Sequence, residues 1–196
     1  MRMKSLTYSR GNPYLTMIWL SIGGSVLIFF FLAFVFLIRM HSLGWSKVDL
    51  PPAFWYSTAT ILLSSASLTF ANRSFQRELF GQSFWWVSIT LVLGLGFGLL
   101  QVAGWMALNR NGVFFREVAG AFVYLFSGLH FLHVLIGLLG LGWIWWDSYQ
   151  SRTYVEGYIQ SLNPQKMTRW KMVSIFWHFL DVLWIILFAL LWWNQS

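Results

Sequence analysis

The sequence predicts an all-α integral membrane bundle of five transmembrane helices. It is read as one domain over residues 1–196, with the N-terminus cytoplasmic and the C-terminus outside. Three observations carry that prediction. The chain is 58% hydrophobic and only 10% charged, whereas a soluble domain is about a quarter charged. Of its 19 charged residues, 18 fall outside five long apolar runs, and Asp181 alone falls inside one. Each run is long enough to cross a hydrocarbon core, which takes roughly 20 helical residues. This pattern excludes a soluble globule, a disordered chain and a nucleic-acid binder. With no Cys, disulfides, thiolate metal sites and cysteine nucleophiles are excluded as well.

The runs are residues 15–38, 53–71, 84–108, 118–146 and 172–193. Membrane β-strands are about ten residues long and alternate in polarity; nothing here alternates, so backbone groups must be satisfied within helices. The first run has no small-x-small cleavage site after it and is expected to be retained rather than removed as a signal peptide. Pro51-Pro52 stops any helix and introduces the second run. The loops 41–52, 72–83 and 109–117 are too short to hold a soluble domain. The longest, 147–171, is polar, with Tyr154, Tyr158 and Ile159 placed to rest at the headgroups, and Gly157 and Pro164 argue against one continuous helix through it. Nine cations fall on one side: Arg2, Lys4, Arg10, Arg73, Arg77, Arg152, Lys166, Arg169 and Lys171. Four fall on the other: Arg39, Lys47, Arg110 and Arg116. The richer side is expected to be cytoplasmic. Trp145-Trp146 and Trp192-Trp193 should then mark opposite interfaces. Gly94 and Gly98 form a GxxxG pair on the third run; Gly128, Gly137, Gly140 and Gly142 lie on the fourth, and Ser57, Ser64, Ser65 and Ser67 on the second. Such small residues let backbones approach closely.

Four polar residues stand at mid-membrane depth. His130 and His133 lie on the fourth run, His178 and Asp181 on the fifth, each pair spaced i, i+3 on one helix face. A carboxylate in lipid costs roughly 2.5–3.5 kcal/mol on insertion scales, so Asp181 is expected to turn inward and find a donor. We read the four as a structural polar clamp, with Asp181 bonding to His130, His133 or His178. Haem or metal ligation is the alternative chemistry for a histidine cluster, but no HExxH motif and no second acidic ligand occur at that depth. A proton relay has only Gln101, Ser127 and Tyr124 to extend it. Ser127-Gly128 lacks a convincing nucleophile motif for a serine hydrolase.

The motifs combine into a family resemblance. The run Gly128-Leu129-His130-Phe131-Leu132-His133-Val134-Leu135-Ile136-Gly137 resembles the G-x-H-x-x-H-V-x-x-G signature of subunit III of haem–copper respiratory oxidases. Trp177-His178-Phe179-Leu180-Asp181-Val182-Leu183-Trp184, with Trp192-Trp193 after it, resembles that family's closing helix. The Ser- and Leu-rich stretch 54–71 and Gly98-Leu99-Leu100-Gln101 are also similar to it, in the family's order, from residue 53 to the C-terminus.

The resemblance implies a five-helix short form of a seven-helix subunit, in a bacterial cytoplasmic membrane. It implies no catalytic residue, cofactor or metal in this chain, with haem and copper carried by partner subunits. The partners implied are the haem–copper catalytic subunit I, subunit II and a small subunit IV, together with membrane lipids and no nucleic acid. The complex would reduce oxygen to water with electrons from cytochrome c or quinol. This chain would support stability, assembly and the lipid and oxygen environment of subunit I. Bound phospholipid is expected, in a cleft completed by another subunit's helices. Acids that many members carry are absent here: the first run reads Gly23-Gly24-Ser25, the stretch before the last helix holds Lys171, and Val102-Ala103-Gly104 follows Gln101. Proton handling is therefore not carried over. The alternatives are a haem- or metal-binding membrane enzyme that uses the three histidines, or a membrane assembly factor.

Overall fold

The computed structural model describes residues 13–40, 48–151, 153, 155, 157–158 and 163–193. Five long helices occur among them and no strand: α1 (Pro13–Arg39), α2 (Pro52–Gln76), α3 (Phe80–Arg110), α4 (Val118–Gln150) and α5 (Pro164–Trp193). Each apolar run lies inside one helix. Four helices, all but α2, are long and apolar enough to cross a membrane. At 25 residues, α2 would be about 37 Å long at 1.5 Å per residue. Its hydroxyls, not its length, set it apart.

The boundaries follow from local chemistry. Pro52 sits in the first turn of α2, where its missing N–H removes no helix bond. Only three residues, 77–79, join α2 to α3, with Glu78 left-handed at φ 61. Leu79 N–H closes that turn on the Ser74 carbonyl at 2.9 Å. Gly112, at φ 80, ends the α3 cap, where Val113 N–H reaches the Leu108 carbonyl at 3.0 Å; a left-handed C-cap is a position that glycine occupies without a side-chain penalty.

The fifth helix starts two turns earlier than the apolar pattern marks. Asn163 Oδ1 accepts from Gln165 N–H at 3.0 Å, an N-cap followed by a proline in the first turn. The helix therefore carries Lys166, Arg169 and Lys171 as a polar extension. Apolar counting sees only the lipid-facing length of a helix. Tyr154, Ile159, Arg152, Lys47 and the three N-terminal cations lie outside the described residues.

Helices α2, α3, α4 and α5 form a ring, each packed on the next and α5 closing back on α2. Helix α1 lies across the α4/α5 seam and leaves most of its surface outward. Ring contacts define two ends. Phe75 stacks on Trp170 (4.8 Å) and meets Phe80 edge-on (5.7 Å) at the end bearing Arg73, Arg77 and Arg169. Trp55 meets Trp192 at 5.9 Å at the other end. Trp145 lies with Phe84 near the first end. The two Trp-Trp pairs are thus at opposite ends of the bundle.

Candidate functional site

The centre of the ring is aromatic. Trp184 of α5 packs on His130 of α4 (5.0 Å), edge-on to Phe97 of α3 (5.3 Å) and stacked over Phe54 of α2 (6.2 Å). All four helices therefore meet at one indole. Trp184, Trp177, Phe54, Phe97 and His130 are buried. Burying rings of this size dominates core energetics, and an indole N–H taken out of water needs an acceptor.

Those acceptors come from hydroxyls. Trp184 Nε1–H donates to Thr58 Oγ1 and Trp177 Nε1–H to Ser64 Oγ, both at 3.0 Å. Trp105 donates to Ser127 and Trp145 to Ser88, both at 2.9 Å. On α2, Ser57 accepts from Gln101 Nε2 at 2.9 Å, Ser65 meets His178 Nδ1 at 2.8 Å and Ser67 meets Thr90 at 2.6 Å. The α2 serines are thus a row of hydrogen-bonding groups as well as small packing residues. A hydroxyl can still bond its own helix carbonyl while it receives, as Ser57 does to Phe54 O (2.9 Å) and Thr58 does to the same oxygen (2.8 Å). This pairing went unread in the sequence. One signal existed: Trp177 and Trp184 are seven apart on α5, and their acceptors Ser64 and Thr58 are six apart on α2.

The four polar residues of the expected clamp occupy three neighbourhoods. His178 Nδ1 approaches Asp181 Oδ2 at 3.6 Å, an ion-pair distance too long for a hydrogen bond. His178 also bonds across the interface to Ser65, so it ties α5 to α2. His133 bonds away from both, with Nδ1 2.7 Å from the Leu129 carbonyl and Nε2 3.1 Å from Ser25 Oγ. A carbonyl only accepts, so Nδ1 carries the hydrogen of the first bond, and the neutral ring then accepts at Nε2. The one Ser25 hydroxyl hydrogen is shared between His133 and the Ser21 carbonyl, 2.9 Å away. His133 thereby ties α4 to α1.

His130 is wholly buried between rings, and neither of its nitrogens has a hydrogen-bond partner among the described residues. The same holds for both Asp181 oxygens and for Gln101 Oε1. No hydrogen bond joins Asp181 to His130 or His133 among the described residues. Each orphaned buried group costs about 1–3 kcal/mol. Among the described residues no three His, Asp or Glu side chains gather as a metal-holding group. Ser127, the candidate nucleophile, donates to the Val123 carbonyl at 2.6 Å and accepts from Trp105.

The glycines divide sharply. A Cβ on Gly94 would stand 2.8 Å from Trp177 Cη2, and one on Gly137 would stand 3.0 Å from Leu180 and 3.1 Å from Trp177. The Trp177 indole is therefore held between the backbones of α3 and α4. A Cβ on Gly98 would meet Phe131 at 3.3 Å. Gly128 has nothing within 4 Å of its added Cβ.

A groove follows α1 along the α4/α5 seam. Its upper part, about 360 Å³, has Arg169, Asp147, Gln165 and Trp143 at its mouth. Its deeper part, about 470 Å³, runs past Ile28, Ile136 and Phe176 to Ser25 and His133. Gly140, Met172 and Val173 line both. At the mouth, Arg169 lies over the Trp143 ring at 4.8 Å, and Lys166 is 3.8 Å from Asp147.

Comparison with known proteins places this arrangement. Residues 41–196 match the family model described as cytochrome c oxidase subunit III. The chain is 30% identical to the probable cytochrome c oxidase subunit 3 of Mycobacterium bovis over 184 residues, 90% of this chain and 84% of that protein. It is 28% identical to cytochrome c oxidase subunit 3 of Bacillus subtilis over 180 residues, 87% of this chain and 81% of that one. Against cytochrome bo(3) ubiquinol oxidase subunit 3 of Pseudomonas aeruginosa it is 33% identical over 135 residues, 67% of this chain but 59% of the relative's length. With a matched model over most of its length and five helices arranged as a membrane bundle, the chain belongs to the cytochrome c oxidase subunit III family.

Proposed function

We propose that this chain is an integral flank subunit of a haem–copper terminal oxidase that reduces oxygen to water with electrons from cytochrome c or quinol. It works by packing, without catalytic residues of its own. Subunit I is its main neighbour, with subunit II and a small subunit IV in the same complex, and haem and copper belong to those partners. The membrane is the bacterial cytoplasmic membrane. All five helices cross it, α2 included, with the arginine-rich end bearing Arg73, Arg77 and Arg169 on the cytoplasmic side.

The observation that carries this reading is how the interior side chains are spent. His133, His178, Trp177 and Trp184 each bond to a serine or threonine of a different helix, so the chemistry-bearing residues act as fasteners. Of the four clamp residues His130, His133, His178 and Asp181, it is His133 that ties α4 to α1 and His178 that ties α5 to α2, so the fastening reaches beyond α4 and α5. The groove beneath α1 suits one phospholipid, with the headgroup at Arg169 and an acyl chain along the apolar wall. It is walled by this chain's own helices.

The test is affinity purification of the full chain from native membranes in a gentle detergent, followed by an absorption spectrum, subunit masses and lipid extraction. A haem-bearing larger subunit at one copy per chain is expected, with phospholipid retained. A chain that comes down alone, or that alone carries a Soret band, refutes the proposal.

A further inference from the structure

The outer seam of α2 and α5 carries a polar group of which the bundle uses only one edge. The His178 side chain is 37% exposed, while Asp181 beside it is only 4% exposed. Its Nδ1 edge is turned inward and fixed twice, by Ser65 Oγ at 2.8 Å and Asp181 Oδ2 at 3.6 Å. Two contacts on one nitrogen fix the plane of the ring and turn the opposite edge outward. Among the described residues Nε2 makes no hydrogen bond, and it is not one of the buried polar atoms. Whichever nitrogen carries the hydrogen, Nε2 presents either an N–H or a lone pair. Ionisable side chains at mid-membrane depth face a bundle interior or a water-filled cavity and find partners there. Within this chain His178 finds such partners for Nδ1 only, and its Nε2 edge is left without one among the described residues.

The surface around it is shaped for a helix. On α5, His178, Val182, Ile185 and Ala189 follow one another at i, i+4, i+7 and i+11, a single stripe along the helix. Val182 is 56% and Ile185 41% exposed, and Ala189 is also exposed. On α2, Trp55, Ala59, Leu62 and Ala66 repeat that spacing, all exposed. Ala59 and Ala66 leave room for a close backbone approach, the usual device where helices associate in lipid. A stripe of aliphatic side chains alone suits lipid tails equally well. The imidazole edge at one end of it does not, because hydrocarbon offers it nothing.

We propose that the α2/α5 seam is the face on which a transmembrane helix of the haem-bearing subunit docks, through a Ser, Thr or Tyr hydroxyl bonded to His178 Nε2. A hydroxyl both donates and accepts, so it fits either tautomer. This rests on the oxidase-subunit reading and adds the face and the chemistry of contact.

The experiment uses the full chain in native membranes with p-benzoylphenylalanine at Val182, illuminated before solubilisation. A covalent adduct with the haem-bearing subunit is expected. Its mass should map to a helix holding a Ser, Thr or Tyr within one turn of the crosslinked residue. In parallel, His178→Phe and His178→Asn chains are compared with the parent for copies retained per haem after detergent washing. His178→Phe should be lost about tenfold faster, and His178→Asn, which keeps a polar end, should be retained nearer the parent level. Adducts with lipid alone, a mapped helix without a hydroxyl at that depth, or equal retention of His178→Phe overturn the docking face. In each of those cases the parent chain still co-purifies with haem. A parent chain that does not co-purify refutes the oxidase reading itself, so the two failures are distinct.

Discussion

Replacing Gly94 with alanine and, separately, Gly128 with alanine asks whether the Trp177 slot holds the ring together. Both glycines lie on long helices and both look like contact residues in the sequence. In Gly94→Ala the new methyl would lie 2.8 Å from Trp177 Cη2 and 2.9 Å from Leu138 Cδ2. Carbon atoms prefer about 3.5–4.0 Å, so the indole must retreat by close to an ångström. It has nowhere to go. Its other face already lies on Gly137, and its Nε1–H is held by Ser64 at 3.0 Å.

Overpacking of this kind costs about 1–3 kcal/mol, and tearing the indole from its acceptor leaves a buried donor at about 1–3 kcal/mol more. A loss of about 2–6 kcal/mol is expected for Gly94→Ala. Gly128→Ala meets open space and removes a flexible residue from a helix interior, so it should lie within about 1 kcal/mol of the parent or gain slightly. The measurement is unfolding of the purified chain in mixed micelles by titration with a denaturing detergent, followed by helical circular dichroism. Equal midpoints for the two variants would refute the slot, and with it the account of Trp177 as the α3–α4–α5 junction.

Three further outcomes are expected. Gln101→Met keeps the volume, gives up one bond to Ser57 at about 0.5–1.5 kcal/mol and removes the orphaned Oε1 at about 1–3 kcal/mol. It should unfold no earlier than the parent, while Gln101→Ala leaves a hole and unfolds earlier; the same titration ranks them. Ser25→Ala together with His133→Phe should free α1 from α4 with the ring intact. Crosslinking between cysteines placed at Gly24 and Ile136, both on the groove wall, should fall several-fold while helical content holds. Because the chain has no cysteine, single cysteines report orientation cleanly. Asn111→Cys in intact cells should react with a membrane-impermeant thiol reagent and Arg77→Cys should not; the reverse result inverts the proposed topology.

Much of the fold was legible because lipid simplifies the code. Continuous apolar runs gave helix number and position, and prolines at 52 and 164 stood at two starts. The polar extension of α5 escaped, since a capped first turn of Gln165, Lys166 and Arg169 reads as loop when only hydropathy is counted. The mid-membrane polar residues were legible as residues, but the sequence left Asp181 three possible partners, His130, His133 and His178, without choosing among them. Asp181 and His130 face each other in the sequence logic of two antiparallel neighbours, yet the helix orientation in which Trp177 and Trp184 take the centre places the His178–Asp181 pair toward Ser65 of α2 and leaves His130 among rings. Rotation about a helix axis is a packing outcome, decided by which large side chain claims the centre, and no spacing rule along one helix states it. The distinction between Gly94 and Gly128 belongs to the same class, because whether a glycine is filled depends on the facing helix.

The hydroxyls of α2 bear on how the chain gets into the membrane. A helix with this many serines and threonines has little reason to leave water by itself, since insertion scales reward leucine and phenylalanine. Three residues join it to α3, which is long and apolar. Ser57 and Ser67 already bond to Gln101 and Thr90 on that helix. In the proposed five-span topology the natural unit of insertion is therefore the α2–α3 hairpin, with the apolar arm carrying the polar one across. The remaining hydroxyls, Thr58, Ser64 and Ser65, wait for Trp184, Trp177 and His178 of α5, which lies far downstream in the chain. In that topology α2 depends on α3 until α5 packs against it.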